Sequence, residues 1–114
     1  MVDPKNVRDA LIVFAKKRCT ITYKQLSQAA KVPYGNFQEQ MELARIVTQI
    51  GREEFEAGRP LLNILLLSPS TDLPSESFFK MAREVKAMHG ADRSSFFQTH
   101  LAKVFSFWEN KDVS

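Results

Sequence analysis

The sequence predicts an α+β domain that is mostly helical, and three observations carry that reading. Apolar residues recur at helical spacing in five stretches, most of them opened by a capping residue. One apolar run, LLNILLL (61–67), lies between Pro60 and Pro69, is too short for a typical helix and reads as a buried strand. The trio Thr20-Ile21-Thr22 is β-branched and short, so it supplies at most a minimal strand.

Asp3-Pro4 is an N-cap followed by proline at the first helical position, where the missing N–H costs nothing. Val7, Leu11 and Phe14 then form one apolar stripe, and the helix is expected to end in Lys16-Lys17-Arg18, whose charges suit its negative end. Thr22 and Gln25 make a capping box for a helix over 23–31, which Val32-Pro33 terminates because proline disfavours helical geometry in the residue before it. Asn36 with Glu39 opens a long helix through Met41, Leu43, Ile46, Val47 and Ile50, which Gly58 can close in a left-handed conformation. SPSTDLP (68–74) has the residues of a tight turn. A fourth helix is expected from Ser75 to about Met88, ended by His89-Gly90. Asp92 or Ser94 can cap a fifth, with Phe97, Leu101, Val104 and Trp108 along its apolar face.

With 114 residues the chain is expected to form one domain, 1–114, and 44% hydrophobic residues suffice for a core. A single cysteine, Cys19, excludes an internal disulfide; beside a short strand it is expected in the core. No signal-peptide pattern opens the chain and the longest apolar run is far short of a bilayer span, so a cytoplasmic protein without membrane contact is expected. His89 and His100 have no cysteine or carboxylate set at ligand spacing, His100 reads as a surface or partly buried helix residue, and no metal or cofactor is expected. Nothing groups as a nucleophile with its base or as a phosphate-cradling glycine loop, so the protein is expected not to be an enzyme.

The net charge of +3 is unevenly spread. Residues 1–35 carry seven Lys/Arg against Asp3 and Asp9, residues 36–60 carry three arginines against five glutamates, and the remainder balances at six of each. Clustered positive charge favours phosphate contacts.

One helix, a minimal strand, two helices, then an apolar strand and turn is the order of a winged helix-turn-helix with an added C-terminal helix. The text agrees: TITYKQLSQAAKVP resembles the T-T-Y-G-x-[IL]-A-x-x-[LV]-G-x-P segment of the DNA-binding domain of O6-alkylguanine-DNA alkyltransferases and alkyltransferase-like proteins. GRPLLNILLLSPSTDLPSESF and the terminal VFSFW resemble segments of uncharacterised bacterial winged-helix proteins. The resemblance implies a DNA-binding winged helix in which Thr22 and Tyr23 stand on the family's Thr-Tyr beside a phosphate. It does not extend to alkyl transfer, because Leu65-Leu66-Leu67-Ser68 stands where the alkyltransferases carry Pro-Cys-His-Arg, and no recognition-helix R-A-V-G falls at the expected distance from Pro33.

The expected function is therefore non-enzymatic binding of double-stranded DNA, of bacterial or phage type. Lys16, Lys17, Arg18, Thr22, Tyr23, Lys24 and Lys31 would meet phosphates. Tyr34, Asn36, Phe37, Gln38 and Gln40 would face base edges from the start of the long helix, Asn and Gln being the types that read adenine. A protein-interaction module on the same scaffold is the alternative. It would use the acidic long helix or the C-terminal aromatics Phe96, Phe97, Phe105, Phe107 and Trp108, where adjacent pairs cannot both point inward, and it includes a homodimer. An alkyltransferase-like lesion sensor is a third reading.

Overall fold

Five α-helices and one 3-10 turn make up the regular structure in a computed structural model that describes residues 2–109 and 111. They are α1 (Pro4–Lys16), α2 (Tyr23–Ala30), α3 (Phe37–Glu56), the 3-10 turn Leu62–Leu65, α4 (Glu76–Glu84) and α5 (Arg93–Glu109). No strand longer than a single bridge forms among the described residues. The α+β class, the wing and the winged-helix architecture expected from the sequence are thereby overturned.

The reason lies in LLNILLL. Leu61, Leu62, Ile64, Leu65 and Leu66 are all buried, and α1, α3 and α5 pack around the 3-10 turn, so helices occupy the places where neighbouring strands would pair. Its backbone groups must then find partners locally. Ile64 N–H donates to Leu61 O at 3.1 Å and Leu66 N–H to Asn63 O at 3.2 Å, the short-range bonds of a 3-10 turn. The minimal strand survives as one parallel bridge, in which Ile21 N–H donates to Leu65 O and Leu67 N–H to Ile21 O, each at 2.9 Å. An apolar run buried on every side carries no period, so length and flanking prolines could not separate a strand from a tight turn.

The helix starts follow the sequence. The Asp3 carboxylate accepts from Lys5 N–H, Thr22 and Gln25 close their capping box, Asn36 Oδ1 accepts from Glu39 N–H at 2.8 Å, and Asp92 Oδ1 accepts from Ser95 N–H at 3.0 Å. The ends are less expected. Each of α1 to α4 closes in a paired 6→1 and 5→2 arrangement, as in Cys19 N–H to Phe14 O with Arg18 N–H to Ala15 O. Gly58 takes the left-handed position after α3 as expected (φ 85°), but Arg18, Lys31 and Lys86 occupy it after α1, α2 and α4. The turn at Lys86 stops α4 at Glu84 rather than near Met88. Ala87 and Met88 N–H both donate to Ala82 O, and Met88 folds back into the core.

His100 is the centre's other backbone partner. It is buried, against the sequence expectation, and its Nε2 accepts from Leu61 N–H at 2.8 Å while the ring stacks on Phe96 at 5.1 Å. That bond requires a neutral imidazole with a free lone pair on Nε2. Burial, helped by the Lys103 charge, pushes the His100 pKa down to about 4. The unfolded chain, with a His pKa of about 6.5, therefore binds a proton that the folded one refuses. Stability is expected to be intact above about pH 6.5 and to fall towards pH 4, by at most about 1.4 kcal/mol per pH unit from this group. Urea midpoints at about pH 7, 6 and 5 test it against His100→Gln, which should flatten the profile; a flat wild-type profile would show that His100 titrates normally.

Candidate nucleic-acid interface

The positive charge of the first third is largely committed within the protein. Lys5 pairs with Asp9 at 2.9 Å, and Arg8 with Glu54 at 3.2 Å. Arg18 pairs with Glu109 and lies over the Phe105 ring at 5.2 Å. Lys16 Nζ donates to Trp108 O and to Lys111 O, neutralising the negative end of α5. Among the described residues this leaves Lys17, Lys24 and Lys31 exposed and without an ionic partner. Lys17 sits at the end of α1, whereas Lys24 and Lys31 flank α2.

The α2–α3 corner brings together most of the remaining nominated residues. Asn36 and Gln38 are exposed, and Gln40 donates to Tyr34 O at 3.4 Å. Glu39 is turned inward, its Oε1 accepting from Gly35 N–H at 2.8 Å, so its charge is partly spent on the turn itself. Thr22 is held by its capping bonds. Tyr23 and Tyr34 are half-buried, and burial of Tyr23, with Tyr34 beside it, pushes its phenol up to about 12. It stays protonated, and its hydroxyl can act as a donor at any physiological pH.

α3 stands apart from the core at its start. Phe37 is 73% exposed and Met41, one turn on, is 54% exposed; with Val13 they are the large apolar side chains that face solvent among the described residues. The α5 aromatics are placed differently. Phe96, Phe97 and Phe107 are half-buried against the core, and Phe105 and Trp108 are buried. Cys19 is exposed rather than in the core.

Tyr23 and Tyr34 also separate two clefts. The smaller, about 560 Å³, runs along Thr22, Lys24 and the bridge segment at Leu66–Pro69. The larger, about 710 Å³, lies between α3 and α4, with Arg45, Arg52 and Lys80 on its walls and Glu84 the one carboxylate there. Arg52 donates to Glu84 at 3.0 Å; Arg45 and Lys80 have no ionic partner among the described residues. Sequence reasoning missed these cations. The seven-residue interval from Arg45 to Arg52 puts them on one face of α3, two turns apart, but only packing places Lys80 opposite.

No family model, curated protein or solved structure matches the chain. No described helix is long and apolar enough to cross a membrane.

Proposed function

We propose that the protein binds double-stranded DNA non-enzymatically, in the cytoplasm, with the first turns of α3 set against base edges. One observation carries the reading: Lys24, Lys31, Asn36, Gln38 and Gln40 are exposed around a single corner, with no ionic partner for either lysine among the described residues. Lysines supply the salt-sensitive, sequence-independent attraction, and Gln38, whose amide has no partner among the described residues, supplies readout, with the Asn36 Nδ2 left over from its cap and the Gln40 Oε1 beside it. Tyr34 borders this corner as a further phosphate or base contact, while Lys17, at the end of α1, has no ionic partner among the described residues and Lys16 and Arg18 are spent on fixing α1 to the end of α5.

Fluorescence anisotropy of a random duplex at about 50 and 200 mM salt, the interval over which phosphate-driven binding falls steeply, tests this. Lys24→Ala/Lys31→Ala should weaken binding and reduce the slope of log K against log salt by about 2, close to one per phosphate contact. Absence of wild-type binding at about 50 mM would sink the DNA reading. A protein-docking reading draws on the exposed Phe37 and Met41, and concentration-dependent self-association abolished by Phe37→Ser would favour it.

A further inference from the structure

We infer that the cleft between α3 and α4 is a second DNA contact, a track for the phosphodiester backbone of one strand of the duplex. The inference rests on the DNA reading above and extends it to residues outside the corner. Arg45, Arg52 and Lys80 line the cleft against Glu84 alone, and Glu84 is already bonded to Arg52, so Arg45 and Lys80 remain as uncompensated charge. Glu84 is the one carboxylate in the cleft lining. Glu54 is buried under Arg8 and Arg59, and Glu39 is bonded to Gly35. Glu53, which accepts from the lining residue Gln49 at 3.2 Å, lies beside the cleft, as do Glu42, one turn before Arg45, and Glu56, one turn after Arg52, and none of the three lines it. The helix is thus acidic in composition and cationic on the wall that faces α4.

The cleft is continuous with the proposed reading end, because Tyr34 and Gln40 belong to both. Arg45 to Arg52 spans about 10 Å along the helix axis at 1.5 Å per residue, enough for the two side chains to meet different phosphates of one strand. The floor is Ala44 and the buried Met81, small or recessed, which lets a backbone lie between the two helices. An acidic peptide offers the same charge, but the shared edge with the amide-bearing corner favours a duplex that uses both surfaces at once.

The test compares Arg45→Ala/Lys80→Ala with a control of equal charge loss, Lys86→Ala/Lys103→Ala, on the same duplex across a salt series. Neither Arg45 nor Lys80 has a side-chain hydrogen-bond or ionic partner among the described residues, and circular dichroism checks that the variant folds. The cleft variant should lose about 2 from the salt slope and roughly 10- to 100-fold in affinity at low salt, while the control moves neither. Wild-type binding with an unchanged slope in the cleft variant would overturn the cleft assignment and leave the corner standing. Wild-type protein that ignores the duplex but binds an oligo-glutamate peptide through Arg45 and Lys80 would overturn both in favour of an acidic protein partner.

Discussion

Replacing Glu54 with alanine is expected to destabilise the protein by about 3 kcal/mol and to lower its melting temperature by roughly 15 °C. Glu54 is 2% exposed near the end of α3 and holds two arginines from different parts of the chain. Arg8 of α1 donates to both carboxylate oxygens at 3.2 and 3.3 Å, and Arg59, just past α3, does so at 3.0 and 2.6 Å. Arg8 also lies over the Trp108 ring at 5.7 Å, so the carboxylate joins α1, α3 and α5. Removing it leaves two guanidinium groups facing each other. Their side chains are 35% and 34% exposed and can turn partly to water, which puts the cost at the lower end of the roughly 3–5 kcal/mol seen when buried pairs are broken. Glu54→Gln separates charge from volume. Its amide N–H₂ would meet guanidinium donors, so it should lose most of the same stability.

The pH dependence of this group has a fixed sign. Burial alone would raise the Glu54 carboxyl, but the hydrogen bonds from Arg59 and Arg8 outweigh it and hold the group below its ordinary value. Its contribution is complete above the unfolded glutamate pKa and is lost as pH falls through the folded value. His100 acts in the same direction from a higher pH, so stability should decline over two adjoining pH ranges as acid is added, and Glu54→Gln should remove the lower one. A loss under about 1 kcal/mol in Glu54→Ala would mean the pair is solvated and structurally idle.

Helix starts were legible in the sequence because capping is local. Asp3, Thr22, Asn36 and Asp92 each need only a backbone N–H two or three residues away. The ends of α1 and α2 also fall where Lys16-Lys17-Arg18 and Val32-Pro33 put them, but the left-handed backbone at Arg18, Lys31 and Lys86, and with it the early end of α4, was not legible, since a charged residue at positive φ is held there by the turn around it and not by its own preference. The strand at 61–67 was misread for a tertiary reason: whether an all-apolar segment pairs or coils depends on what surrounds it. That error also carried the order of elements towards a winged helix. The candidate corner was half legible. Asn36, Gln38, Gln40, Lys24 and Lys31 follow from their positions around the turn, but the engagement of Lys16 with α5 and of Arg18 with Glu109 spans over 90 residues of sequence in each case. Lys80 opposite Arg45 has the same character: two exposed cations in separate helices carry no mutual signal until the helices pack.

Gly51→Ala is expected to destabilise by roughly 2–4 kcal/mol, the reverse of the usual effect. Inside an exposed helix, glycine to alanine gains up to about 1 kcal/mol because alanine loses less backbone entropy. Gly51 is buried within the last two turns of α3, facing the 3-10 turn, and an added Cβ would stand 2.2 Å from Asn63 Oδ1 and 2.4 Å from its Cγ. Asn63 is 4% exposed between Leu62 and Ile64, and its Oδ1 has no hydrogen-bond partner among the described residues, so the side chain is held in place by packing. Neither element can retreat cheaply, because the turn is enclosed by α1, α3 and α5. Asn63→Ala removes both the obstacle and an unsatisfied acceptor, so it should cost little by itself. In that background Gly51→Ala should become neutral or stabilising, giving a coupling of at least about 2 kcal/mol between two positions in contact. Additive losses in the denaturant series would mean that α3 and the turn slide apart, and that the close approach of helix and turn does not hold the centre of the fold.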